Sequence, residues 1–220
     1  MTWLPVDSAA ASERDAVLGL QPEGRERLDE VLEISWSITD SSLLDLCRLR
    51  LAQLLRCRAE LAPADDGHLL AELAEWRSSA AYSERERAAL AYAEQFLVDQ
   101  NGITEEQKAE ISRHLSRREL VDFVQALNVQ EGYLRVLTVL DVAPDPGISP
   151  HVHQPLHEVM AAEAEDVPGT GLDLLVALTD PAFWEARMAF GAAMARQSGV
   201  DAETSEVCRL RNANHQACRY

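Results

Sequence analysis

The residue best placed to do chemistry is Cys218, in the stretch CRLRNANHQACRY. Asn212 and Asn214 are poor helix formers, so they predict that one helix ends just before Cys218 and that another begins there. The free amides of a helix start, the charge of Arg219 and the nearby imidazole of His215 would all favour a thiolate. A thiolate near neutral pH is a nucleophile, so Cys218 is the candidate catalytic residue.

An earlier stretch, CRLRLAQLLRCRAE, nearly repeats this phrase. The two stretches share Cys-Arg-Leu-Arg, an alanine and a second Cys-Arg at a constant offset of 161 positions. An acidic residue stands two positions before the first cysteine in both, Asp45 in one and Glu206 in the other. We interpret the phrase as part of a duplicated unit whose second copy is incomplete. The alternative is chance similarity between two helices rich in arginine and leucine.

The first copy is not expected to be reactive. The letters LAQLLRC continue a helical pattern without a turn signal, so Cys57 is predicted to lie in mid-helix, away from a helix terminus. Its neighbour Leu54 is apolar. A buried, unreactive cysteine is therefore the prediction for Cys57.

The elements around these cysteines are predicted to be helices. One helix is expected over Arg25–Ile38, and the next begins at Asp40 or Ser41 and runs to about Leu61, before Pro63. Cys47 and Cys57 are ten residues apart, and so are Cys208 and Cys218. On one helix this separation is about 15 Å, which is too far for a disulfide. Reduced thiols fit a cytoplasmic protein.

Three sequences have the form of a capping box, in which a hydroxyl residue precedes Glu or Gln by three positions. They are Ser83 with Glu86, Thr104 with Gln107, and Ser116 with Glu119. The last opens a long helix, to about Val142, whose wide apolar face predicts a central position or an interface. Asp180 with Pro181 opens a later helix, Gly199 ends it, and Asp201 begins the helix that carries the second copy.

Composition supports an all-α fold and excludes several classes of function. The 220 residues are 47% apolar and only 5% aromatic, with a net charge of −17. The negative electrostatic field of this charge repels phosphate backbones, so nucleic-acid binding is not expected. No apolar run is long enough to span a membrane, and the first residues lack the pattern of a secretory signal.

Residues 143–155, APDPGISPHVHQP, break the helical pattern with four prolines. They predict a first unit over 1–142, a linker rich in proline and glycine over 143–170, and the start of a second unit over 171–220. His151, His153 and His157 lie in this linker. Three imidazoles can bind a metal, but this spacing is not that of a standard structural site, so no metal site is predicted.

The stretch WRSSAAYSERERAALAYAEQF, Trp76–Phe96, resembles the carboxymuconolactone decarboxylase and AhpD-like alkylhydroperoxidase superfamily. The duplicated phrase resembles it too, since family members carry a glutamate, an Arg-Leu-Arg-x-Ala helix and then Cys-x-x-Cys. The family places its glutamate twelve residues before the first cysteine. Here Glu206 precedes Cys218 by twelve residues, and Asp45 precedes Cys57 by twelve. The resemblance covers roughly residues 26–142 and 181–220.

The resemblance implies an all-helical unit that forms dimers, trimers or hexamers, without a cofactor. In the peroxidase members one thiolate attacks a hydroperoxide, a second cysteine closes a disulfide, and a glutamate and a histidine relay protons. Carried over, Cys218 is the nucleophile, and Glu206 and His215 relay protons. In the first copy, Cys57, Asp45 and Glu60 form a degenerate counterpart, because Glu60 stands where the second cysteine belongs.

The residues and the resemblance together give three alternative hypotheses for the function. The first is thiol-dependent reduction of a small hydroperoxide by a cytoplasmic homo-oligomer, with a thiol reductant as a further partner. The second is a catalytically inactive helical oligomer, or scaffold, that keeps the fold. The third is thiol-independent decarboxylation of a small lactone, for which the sequence offers no specific residues.

Overall fold

The structure, a computed structural model, describes residues 2–6, 9–61, 68–144, 171–197 and 199–215. Every regular element in these ranges is a helix, in agreement with the predicted all-α class. The helices are α1 (Glu13–Leu18), α2 (Pro22–Ser37), α3 (Ser41–Leu55), α4 (Arg58–Leu61), α5 (His68–Ala74), α6 (Glu84–Val98), a 3₁₀ turn (Gln100–Gly102), α7 (Glu105–Ile111), α8 (Arg117–Val139), α9 (Gly171–Leu178), α10 (Pro181–Gln197) and α11 (Ala202–His215).

The long helix α8 occupies the centre of the main core, as its wide apolar face predicted. It contacts α2, α3, α4 and α9, while α6 packs against α3 and places Tyr92 beside Phe123 of α8. Phe123, Leu127, Leu134 and Leu137 of α8 are fully buried. Their burial from water is the main stabilising contribution to this part of the fold. The helix ends at Val139, slightly earlier than expected.

The helix starts predicted from capping signals are confirmed, whereas α2 begins at Pro22 rather than at the predicted Arg25. All three capping boxes form, with each hydroxyl accepting from the N3 backbone and each N3 side chain accepting from the N-cap amide. Asp40, Asp180 and Asp201 each accept backbone hydrogen bonds at the start of α3, α10 and α11. Gly199 follows α10 with a φ of 61°, a left-handed conformation that glycine adopts without steric cost.

The prediction of one helix from Ser41 to Leu61 is wrong. The helix stops at Leu55, and Arg56 adopts left-handed angles of φ 57° and ψ 39°. The Arg56 amide donates to the Gln53 carbonyl at 3.1 Å, and the Cys57 amide donates to the Ala52 carbonyl at 2.9 Å. These two bonds form a Schellman motif, which ends α3 and lets α4 begin in a new direction.

The most extensive helix pairing joins α10 to α2. Phe183 and Ala186 of α10 form a small buried cluster with Val31 of α2, separate from the main core. A Cβ on Gly24 would lie 2.9 Å from the sulfur of Met194, so glycine permits the close approach of the two helices. Through α10, the predicted second unit therefore packs directly on the first.

Among the described helices, none combines the length and the apolarity needed to cross a bilayer. The predicted divisions at 142/143 and 170/171 stay predictions, as does the proposed interface on the long helix α8. Most of the linker, including its three histidines, lies outside the described residues.

Candidate functional site

Cys57 lies between two helices rather than in the middle of one. Its carbonyl accepts from the amides of Glu60 and Leu61, at 3.3 and 3.1 Å, so it occupies the N-cap position of α4. The amides of Ala59 and Glu60 point at its thiol. The expectation that Cys57 lacks helix-terminal amides is therefore wrong, because the Schellman motif at Arg56 was not foreseen.

The expectation that Cys57 is buried is confirmed, since it is 1% exposed. Burial raises the pKa of its thiol above the ordinary value, even though the nearby amides act in the opposite direction. Its thiol also contacts the hydroxyl of Thr138. The hydrogen bond with Thr138, like those from the two amides, acts to lower the pKa, but burial is the larger effect. The surroundings thus favour the neutral, weakly nucleophilic thiol.

Arg48, which the sequence analysis did not single out, joins the two acidic residues of the degenerate counterpart. Its Nε and Nη2 donate to Asp45 Oδ1 at 2.9 and 2.8 Å, and its Nη1 donates to Glu60 Oε2. The guanidinium carbon lies 6.0 Å from the centre of the Trp36 ring. Asp45, Glu60 and Cys57 are therefore close together, but the carboxylates are occupied by a buried cation rather than free to move protons.

Tyr133 and Arg14 extend this polar cluster towards the N-terminal helix. Arg14 Nε donates to the Tyr133 hydroxyl at 2.5 Å, and its Nη2 donates to Asp29 Oδ1 at 2.9 Å. Burial, with a further contribution from the charge of Glu60, raises the pKa of Tyr133 to about 12. Tyr133 is therefore neutral at physiological pH.

The stretch that carries the family resemblance packs against the other side of α3. Glu94 accepts from Arg50 Nε at 2.6 Å, from Trp76 Nε1 at 2.9 Å, and from Arg77 Nη2. The Arg77 guanidinium carbon lies 4.4 Å from the centre of the Trp76 ring, a cation–π distance. These hydrogen bonds hold the pKa of Glu94 below its ordinary value despite burial. Glu94 is a structural anchor between α3, α6 and the Trp76 segment.

The second copy has the same local pairing on an exposed helix. Arg209 donates through Nε and Nη2 to the two oxygens of Glu206, at 2.7 and 2.5 Å, and holds the pKa of Glu206 below its usual value. Cys208 is an exposed free thiol. Cys218 and the side chain of His215 lie outside the described residues, so the grouping of Cys218, Glu206 and His215 stays a prediction.

Corresponding features of the two copies recur at the same offset as the sequence phrase. Helix α3 begins at residue 41 and α11 at residue 202, after Asp40 and Asp201 as caps. The pair of Asp45 with Arg48 is repeated by Glu206 with Arg209, and again the acid precedes the arginine by three residues. The copies differ in surroundings, because α3 is packed in the core and α11 is not.

A second group of buried polar residues lies where α8 meets the turn between α9 and α10. Asp122 Oδ1 has no hydrogen-bond partner among the described residues, and Arg118 Nε lies 3.6 Å from its other oxygen. Burial, opposed by Arg118, raises the pKa of Asp122 to about 6. Gln125 donates to Thr179 Oγ1 at 3.4 Å and accepts from Arg187, whose pKa is lowered by burial.

Sequence reasoning missed this group because one aspartate in an apolar helix is most simply interpreted as solvated. No set of three or more histidine, cysteine or acidic side chains in the described ranges is arranged to hold a metal. His151, His153 and His157, the histidines weighed as ligands, lie outside those ranges. Comparisons of the chain with family models, with curated proteins and with solved structures found no match.

Proposed function

We propose that this chain is a carboxymuconolactone decarboxylase and AhpD-like superfamily protein that reduces small hydroperoxides through Cys218. In this proposal α2–α3 and α10–α11 are copies of one unit, and only the second copy retains thiol chemistry. The recurrence of helix starts, caps and acid–arginine pairs at one offset supports the duplication. The three cysteines in the described ranges are unbridged, which is compatible with a reducing, cytoplasmic setting.

The observation that carries the proposal is the contrast between the two copies. Cys57 is sealed from water, its thiol is held neutral, and Glu60 replaces the second sulfur and binds Arg48. The first copy therefore lacks an accessible nucleophile. Residues 203–211 of α11 are exposed, in contrast to the buried helix α3, and the proposal takes the cysteine of this second copy as the nucleophile. Chemistry is accordingly assigned to Cys218.

The reaction balances as a two-electron oxidation of sulfur. The Cys218 thiolate attacks the terminal oxygen of the hydroperoxide, a sulfur–oxygen bond forms, and the oxygen–oxygen bond breaks. The leaving alkoxide takes a proton, and His215 is its proposed source, while Glu206, whose pKa Arg209 holds low, is proposed as the carboxylate that accepts a proton in the relay. A thiol then attacks the sulfenic acid, releases water and forms a disulfide, and a second thiol equivalent restores Cys218.

The test is consumption of a small alkyl hydroperoxide by the full chain with dithiothreitol as reductant. Cys218→Ser should abolish consumption, whereas Cys208→Ser, the control at an exposed cysteine, should retain it. His215→Asn should slow it about 100-fold, as expected for loss of a general acid. A sulfenic acid trapped with dimedone should map to Cys218. Equal consumption by both serine variants would contradict the assignment.

A catalytically inactive scaffold is the second candidate, and the Arg48 contacts favour it. A buried guanidinium that binds both carboxylates stabilises the fold but leaves no group for proton transfer. This candidate predicts no hydroperoxide consumption by wild-type protein. It also predicts that alkylation of Cys218 between pH 5 and 9 follows the pH dependence of an ordinary thiol. The lactone decarboxylase alternative gains no support from a specific residue.

A further inference from the structure

Helix α11 exposes residues whose counterparts in α3 are buried. In α3, Cys47 and Leu49 are buried against the core. The residues at the corresponding positions of α11, Cys208 and Leu210, are exposed, and Leu210 is 53% exposed. Val207 beside them is 60% exposed. Apolar side chains clustered on one short helix indicate a surface that another element covers.

The charges of this region distinguish it from the rest of the molecule. Residues 181–215 contain four basic and four acidic side chains, although the whole chain carries a net charge of −17. Two copies of such an acidic chain repel each other over most of their surfaces. They can approach through the α10–α11 region without that repulsion.

The order of charges along α11 fits a second copy in one orientation. Acidic residues occupy the first half, at Asp201, Glu203 and Glu206, and basic residues follow at Arg209 and Arg211. When two such helices lie antiparallel, the acidic half of each faces the basic half of the other. A parallel arrangement would place like charges together. The change of sign falls beside Val207, so the apolar residues lie at the centre of the pair.

We propose that α11 pairs antiparallel with α11 of a second copy of this chain, across a two-fold axis near Val207. A two-fold axis there places Glu203 opposite Arg211 of the partner subunit, and the reverse. Val207 and Leu210 of both copies form the apolar centre, and the two Cys208 thiols lie close to the axis. This interface is independent of thiol turnover, so each proposal can fail without the other.

Sedimentation velocity of the full chain at micromolar concentration tests this proposal. Wild-type protein should be dimeric. Glu203→Arg alone and Arg211→Glu alone should each raise the dimer Kd about tenfold or more, because symmetry applies every change twice. The double variant should restore the wild-type Kd. Val207→Asp should give a monomer with an unchanged circular dichroism spectrum.

The matched control reverses an exposed ion pair elsewhere, Glu105 with Lys108 on α7. Glu105→Lys and Lys108→Glu should leave the dimer Kd unchanged. A short bismaleimide should link two wild-type chains through Cys208, and Cys208→Ser should prevent that link. A monomeric wild-type protein, or a dimer that responds to neither α11 reversal, would overturn the proposal.

Discussion

The guanidinium of Arg48 donates two hydrogen bonds, of 2.9 and 2.8 Å, to one oxygen of Asp45. The same acid–arginine pairing occurs between Glu206 and Arg209 on α11. Arg48 is buried, whereas Arg209 is exposed. One local motif therefore stands in two different dielectric environments within a single chain. This difference allows the effect of burial on an ion pair to be measured directly.

Replacing Arg48 with methionine should lower the free energy of unfolding by about 3 kcal/mol. The loss arises because Asp45 and Glu60 lose their cation while they remain partly buried. Arg209→Met removes the same kind of pair from an exposed helix and should cost less than about 0.5 kcal/mol. Urea unfolding followed by circular dichroism measures both.

Two further results bear on the Arg48 prediction. Glu60→Gln combined with Arg48→Met should recover part of the lost stability, because residue 60 then carries no charge that lacks a cation. A similar, small loss for Arg48→Met and Arg209→Met would show that burial does not increase the contribution of the Arg48 ion pairs to stability.

Helix starts were predictable from sequence because their signals are local. The side chains of Ser83, Thr104 and Ser116 cap their own helices, and no distant residue is needed to specify them. The end of α3 was not predictable in this way. An arginine in a left-handed conformation gives no composition signal, and the cysteine that follows it is buried by residues from other helices.

The candidate site was predictable only in part. The offset of 161 identified Asp45 and Cys57, the Cys-x-x-Cys spacing of the resembling family identified Glu60, and the structure brings these three residues together. The role of Arg48 was missed because an arginine on a helix is usually solvated. Its contacts with Trp36 of α2 and Glu60 of α4 depend on how those helices pack against α3, which no local pattern specifies. Tertiary packing, rather than local pattern, decides such cases.

Arg56→Gly should stabilise the protein by about 1 kcal/mol. Arg56 has a φ of 57°, a conformation that glycine adopts without the steric cost of a Cβ. Its side chain is exposed, so little packing is lost. Arg56→Ala keeps the Cβ and should change stability by less than about 0.3 kcal/mol, which makes it the control. Thermal and urea unfolding would contradict the prediction if alanine stabilised as much as glycine.

The described cysteines should differ sharply in reactivity. Iodoacetamide at pH 8 should modify exposed Cys208 within minutes, whereas buried Cys47 and Cys57 should react only as the protein unfolds. Burial raises the pKa values of both buried thiols, which adds to their protection. Peptide mass spectrometry after timed quenching measures each site. Rapid modification of native Cys57 would show that the first copy is accessible after all.

Asp122 should make the protein less stable as the pH rises. It is 6% exposed, and burial raises its pKa to about 6. Between about pH 4 and pH 6 the folded chain retains a proton that the unfolded chain has released. This contribution to stability is present in full below that window and is lost above it. The loss amounts to about 3 kcal/mol at pH 7.5.

Asp122→Asn removes this pH dependence, because the amide does not ionise but can still accept from the Asp180 backbone. The variant should therefore be more stable than wild type at pH 7.5, and the difference should shrink as the pH falls to 4. Urea unfolding at a series of pH values measures it, with exposed Glu105→Gln as the control. A variant that is less stable than wild type at pH 7.5 would contradict the prediction. It would show that the ion pair of Asp122 with Arg118 stabilises the junction of α8 with α10 more than burial of the charge destabilises it.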